Sequence, residues 1–81
     1  MAIPVPRRPI PHPSFLDGME YFGTRGGERV WRYPDHQRYY TWDALHGEIE
    51  VFSKRGKHLG ALDAATGTLI KPPVKGRSIA I

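Results

Sequence analysis

The sequence predicts a mainly β fold: a small antiparallel sheet or partial barrel, with a proline-rich N-terminal arm and at most one short helix. Three observations predict it. From residue 29 onward, short runs rich in aromatic and β-branched residues follow one another closely, each bounded by a turn signal. Residues 45–53 alternate apolar and polar side chains with a period of two. Five of the eight prolines fall at positions 4, 6, 9, 11 and 13, a composition that favours extended chain and resists packing. With 81 residues and no cysteine, the chain makes one domain with a small core, and neither a disulfide framework nor a thiolate metal site is open to it.

The elements follow in order. Residues 1–13 read as an arm or linker and residues 14–81 as a single domain. Ser14 to Glu20 is a candidate single helical turn with Ser14 as N-cap, weakened by Gly18. Gly23, Gly26 and Gly27 mark loops. Val30–Tyr33 is a short strand, and Pro34-Asp35-His36 a turn. Arg38–Trp42 is a strand by its aromatic and β-branched content. Leu45–Ser53 is the next, closed by a tight turn at Lys54-Arg55-Gly56. His58–Leu62 follows. Asp63 to Gly67 forms a hairpin loop with Gly67 at positive φ. Thr68–Ile70 returns, and Pro72-Pro73 ends the regular structure.

As a strand, 45–53 places His46, Glu48, Glu50 and Phe52 on one face and Leu45, Ile49 and Val51 on the other. One face can pack on a core while the other aligns an imidazole with two carboxylates, the components of general acid–base chemistry. An ordinary solvated strand face carries the same pattern with no chemistry. Against that, three acidic groups (Asp43, Glu48, Glu50) gather in a chain of net charge +4, bracketed by Trp42 and Phe52.

The charge excess is uneven. The C-terminal tail of Lys71, Lys75 and Arg77 is purely cationic. A basic surface suits a polyanion, nucleic acid first, although solubility alone explains +4. No apolar run approaches the length that spans a bilayer, so no membrane insertion by this domain is expected.

Asp43, His46, Glu50 and Arg77 together suit RNA cleavage by internal transfer. That reaction needs a base for the 2′-hydroxyl, an acid for the leaving 5′-oxygen and a cation where charge develops on phosphate. A Glu, a His and an Arg supply these without metal. The histidines at 12, 36, 46 and 58 lack regular ligand spacing, so no metal and no cofactor are expected. Lys54, Arg55 and Lys57 form a turn cluster that can grip phosphate or simply be solvated. His58 reads as a hydrogen-bonded structural histidine, and Arg7 and Arg8 as solvated; Tyr39, Tyr40 and Trp42 can stack on bases, but in so small a chain they read first as core.

Several of these residues also carry a resemblance. Tyr40, Trp42-Asp43, His46-Gly47-Glu48, Glu50, His58-Leu59-Gly60, Asp63, Thr66-Gly67, Lys71 and Arg77 stand at spacings similar to those of the cytotoxic ribonuclease domain of ribosome-inactivating colicins and cloacin. Similar domains end some contact-dependent inhibition toxins. The match covers roughly residues 38–79. It implies a strongly twisted antiparallel sheet and an endoribonuclease toxin that cleaves small-subunit ribosomal RNA at the decoding site and blocks translation. By position it makes Asp43, His46, Glu50 and Arg77 catalytic, with Glu48 and Lys71 nearby. Together with Lys54, Arg55 and Lys75, these last two are the expected substrate-binding set. It also implies a small acidic immunity protein as partner, and action in the cytoplasm of a target bacterium after secretion or delivery as part of a larger toxin. Phe52 departs from the family, which has a tyrosine there. Two other functions fit the charge and aromatics without catalysis: an RNA- or ribosome-binding β module, and an interaction domain offering its basic tail to an acidic protein. The carboxylates discriminate, because a simple phosphate binder gains nothing from them.

Overall fold

A computed structural model describes residues 7–33 and 37–81. Its strands are β1 (Glu20–Arg25), β2 (Glu28–Arg32), β3 (Arg38–Asp43), β4 (Glu48–Ser53), β5 (His58–Asp63) and β6 (Leu69–Lys71). They form one antiparallel sheet in sequence order, each strand paired with the next. The mainly β expectation holds, and the described residues contain no helix.

The helical turn expected at Ser14–Glu20 is instead a turn over residues 15–18, after which Glu20 opens β1. Ser14 does cap locally: its hydroxyl accepts the Leu16 N–H at 3.2 Å, and the Asp17 carboxylate accepts the Ser14 N–H at 2.9 Å. Such side-chain bonds support a turn as readily as a helix start, and pairing with β2 then takes the chain. β1 was missed because Gly23 looks like a loop. In the fold it sits where the β1–β2 register shifts, inside the strand. Gly26 and Gly27 make the hairpin turn as expected, and Gly67 has φ 74°. The turn expected at Pro34-Asp35-His36 lies outside the described residues.

Alternation gives the sheet two faces. One carries Tyr40, Trp42, Ile49, Val51 and Leu62, packed with Leu16 and flanked by Ile10, Phe15 and Met19. The 10–19 segment thus covers this face. Residue 8 is pinned beside it: the Arg8 N–H donates to the Ala44 carbonyl at 2.8 Å, and Trp42 Nε1 donates to the Arg8 carbonyl at 2.9 Å.

The opposite face carries Val30, Thr41, Glu50 and Ala61 as one row across β2 to β5, all buried. Phe52 and His58 form the neighbouring row, only 1% and 2% exposed. The C-terminal segment returns along the start of β5. The His58 N–H donates to the Arg77 carbonyl and the Ile79 N–H to the Gly56 carbonyl, at 3.0 and 2.9 Å, with Lys57 bridged to Ser78. The Ile79 carbonyl occupies the space a side chain at position 56 would need, so the close approach requires Gly56.

Candidate active site

The second face opens into a cleft of about 770 Å³, walled by the β1–β2 hairpin tip, the 43–46 turn and the returning C-terminal segment. Asp43, His46, Glu50 and Arg77 all line it. They arrive from three different places in the fold.

Asp43 ends β3 and organises the turn that follows. Its Oδ1 accepts the N–H groups of Leu45 and His46 at 3.0 and 3.1 Å, while the Gly47 N–H closes the turn on the Asp43 carbonyl at 2.8 Å. Its Oδ2 stands 2.8 Å from His46 Nδ1. Burial opposes the Asp43 charge, but the hydrogen bonds from His46 and Leu45 outweigh it and hold the carboxyl below its ordinary value. A carboxylate at Nδ1 fixes the ring and keeps the proton on that nitrogen, leaving Nε2 for a second partner. The imidazole itself is 54% exposed. His46 therefore sits on a turn, and not on the strand face with Glu48 and Glu50 as the alternation predicted, because β4 begins only at Glu48.

Glu50 is buried, with two donors. His58 Nε2 is 2.6 Å from Oε2, and Arg77 Nη1 donates to Oε1 at 3.1 Å. The Val74 N–H donates to His58 Nδ1 at 2.9 Å. An amide can only donate, so Nδ1 carries the lone pair, and the ring proton is on Nε2 facing Glu50. His58 is hydrogen-bonded, as expected, but its partner is the candidate base. Regular alternation would have turned position 58 to the other face with Gly60 and Leu62. The register shift between Val51 and Phe52 turns His58 toward Glu50, and Leu59 packs on the core instead. The one sequence signal of this bulge is Gly60, a glycine inside the strand, which takes φ 139° where the register shifts.

The expected substrate-binding set does not gather here. Glu48, Lys54, Arg55, Lys71 and Lys75 do not line the cleft. Glu48 pairs with Lys71 Nζ at 2.7 Å on the same sheet face, beside the cleft. The hydrogen bond that Lys71 donates to Glu48 raises the Lys71 pKa, against a smaller opposing effect of burial. Lys54 and Arg55 sit on the β4–β5 turn, and Lys75 is exposed beyond β6. Arg8, expected to be merely solvated, donates from Nη1 to the His46 carbonyl at 3.1 Å and so braces the 43–47 turn. Among the described residues, no three His, Asp or Glu side chains are arranged to hold a metal ion.

The family model described as Cytotoxic matches residues 11–80. The chain belongs to the Cytotoxic family. The match extends well N-terminal of the 38–79 span on which the resemblance was read, taking in β1 and β2. Among relatives of this Cytotoxic chain, cloacin of Escherichia coli is 45% identical over 56 residues, which cover 67% of this chain and 10% of cloacin. Colicin E3 and colicin E6, also of Escherichia coli, are 39% and 41% identical over the same length, with the same coverage. The chain spans about a tenth of the length of the curated relatives it matches.

Proposed function

We propose that this chain is an endoribonuclease toxin that cuts small-subunit ribosomal RNA at the decoding site and so stops translation. The observation that carries the reading is the convergence of two hydrogen-bonded pairs, Asp43–His46 and Glu50–Arg77, on one cleft. A phosphate-binding module has no use for a buried carboxylate at its anion site. A transesterase does.

Glu50 takes the proton of the 2′-hydroxyl, and the 2′-oxygen attacks the adjacent phosphorus. His46, protonated on both nitrogens, gives its Nε2 proton to the departing 5′-oxygen, leaving a 2′,3′-cyclic phosphate and a free 5′-hydroxyl. Asp43 holds the ring and stabilises its charged form. Arg77, nearly half exposed, has a guanidinium that reaches both Glu50 and the cleft, where charge develops on the phosphoryl oxygens. His58 orients the Glu50 carboxylate from behind. Phe52 contributes only an apolar wall where the family's tyrosine would offer a hydroxyl. The chemistry requires no metal. On a short RNA fragment, activity should follow a bell-shaped pH profile and survive excess EDTA; loss on chelation, restored by one divalent ion, would replace this mechanism with a metal-assisted one.

The reading carries a partner and a place of action. A small acidic immunity protein would protect the producing cell, its capture speeded by the net positive charge. The toxin would act in the cytoplasm of the target bacterium, with residues 14–81 as the ribonuclease unit and residues 1–13 as its arm. The deciding experiment adds the chain to an in vitro translation reaction and maps the ribosomal RNA ends. One new end in the decoding region, absent with His46→Ala, supports the proposal. Intact RNA with translation unimpaired sinks it.

A further inference from the structure

A second feature of the cleft face lies beside the acid–base groups. Phe22 of β1 packs edge-on against Tyr39 of β3, with ring centroids 5.1 Å apart. Two guanidinium groups stand over the same Phe22 ring, Arg25 at 4.6 Å and Arg32 at 4.5 Å. Arg32 pairs in register with Tyr39, and Tyr39 with Phe52. Phe52 and Arg25 both line the cleft, so the stack continues directly from it.

The two cations differ in their partners. Arg32 makes two hydrogen bonds to Glu20 Oε1, at 2.9 and 3.2 Å. Arg25 stands opposite Glu28 in the β1–β2 register yet forms no ion pair with it. Its Nη1 donates instead to the neighbouring Thr24 carbonyl at 2.9 Å, and among the described residues no carboxylate pairs with it. A cation–π contact keeps a guanidinium over the ring without neutralising it. The hairpin thus presents an uncompensated, planar cation at the cleft wall, backed by aromatic rings. An acidic protein would answer the charge but would leave the flat stack unused. A nucleotide answers both, with a base that stacks on planar groups and a phosphate that takes the guanidinium.

We propose that Phe22, Arg25, Arg32 and Tyr39 form a stacking platform for single-stranded RNA flanking the bond held at His46 and Glu50, with Arg25 taking a phosphate. The platform rests on the ribonuclease reading above and adds to it the place where the neighbouring nucleotide is gripped.

The test uses the full chain and a fluorescein-labelled octanucleotide of 2′-O-methyl RNA, which lacks the hydroxyl needed for cleavage. Arg25→Gln should weaken binding about tenfold and lower the slope of log affinity against log salt by about 0.7. Phe22→Leu should weaken binding comparably but leave the slope unchanged. Lys57→Gln, an equal loss of charge away from the platform, should weaken binding less than Arg25→Gln. Arg25→Lys should restore the slope but not the affinity, and decides the matter if Arg25→Gln fails to fold. The platform is overturned if the unaltered chain does not bind, or if Arg25→Gln binds as well as the unaltered chain or as Lys57→Gln. Cleavage of the matching 2′-hydroxyl RNA is scored separately. Hairpin-dependent binding without cleavage overturns the ribonuclease reading alone, and cleavage with hairpin-independent binding overturns the platform alone.

Discussion

Two histidines in this small domain have opposite environments, and that contrast decides what each replacement should do. His46 is half exposed and is held through Nδ1 by Asp43. His46→Ala should leave thermal unfolding nearly unchanged while cutting RNA cleavage by roughly a hundredfold or more. Near-normal cleavage by the folded variant would remove His46 from the mechanism. His58 is almost fully buried and spends both nitrogens on partners, Glu50 and the Val74 amide. His58→Ala leaves a buried carboxylate and a backbone N–H short of partners, at about 1–3 kcal/mol each for neutral groups and more for a charged one. It should therefore lower both stability and kcat, with KM less affected because His58 reaches substrate only through Glu50. Assays at a temperature where the variant is folded separate the two effects. A stable His58→Ala protein with full kcat would make the histidine dispensable. Glu50 belongs with His58 here: its burial means Glu50→Ala disturbs the fold as well as the chemistry, and Glu50→Gln is the cleaner probe.

The elements that position these residues are a turn and a returning segment, and the sequence revealed them unequally. Strand β4 was legible because Ile49 and Val51 alternate with Glu50 and Phe52, and β5 because His58–Leu62 sits between two clear turns. The 43–47 turn was not, because Leu45 and Gly47 continue the alternation in the sequence while the chain has already left the strand. The Asp43 side chain decides the matter, since its carboxylate takes the two amides that a strand would have paired. Gly47 completes the turn at φ 67°, and a Cβ there would stand 2.8 Å from the Arg8 side chain. Gly47→Ala should cost about 1–2 kcal/mol from the backbone alone, and should also lower cleavage by shifting His46. An unfolding midpoint equal to that of the unaltered chain would mean that the turn tolerates the strain. The C-terminal segment folds back through backbone bonds at residues 56–58, with Ile81 still 44% exposed. Arg77 is thereby fixed at the cleft, not frayed. Arg77→Lys keeps the charge but loses the planar fork, and should lower kcat at least tenfold at moderate salt while leaving the fold intact. Full activity in that variant would strike Arg77 from the site.

Across the whole molecule, three carboxylates stand in one row: Asp43 opposite Glu48, and Glu48 opposite Asp63. Like charges in adjacent register positions repel, yet both aspartates have carboxyls held below the ordinary value of 3.8. At Asp63 the main cause is hydrogen bonding from the Thr66 amide and hydroxyl, which ties the 63–67 loop, while Lys71 beside Glu48 offsets part of the repulsion. A carboxyl whose folded value is depressed contributes stability that is complete above 3.8 and is lost as pH falls through the lower folded value. The remaining carboxylates also lose their charge there, so a chain already at +4 becomes far more positive and self-repulsion adds to the loss. The urea midpoint should therefore stay nearly level from neutral pH to about 5 and fall steeply below 4. Asp63→Asn gives the sharper test, because Asp63 lies outside the proposed chemistry and its replacement should leave the active site intact. That variant should be less stable than the unaltered chain at pH 7, and the gap between the two curves should narrow as pH falls through the depressed Asp63 value. If the gap between the curves is as wide at pH 2 as at pH 7, the loop is held by something other than the Asp63 carboxylate.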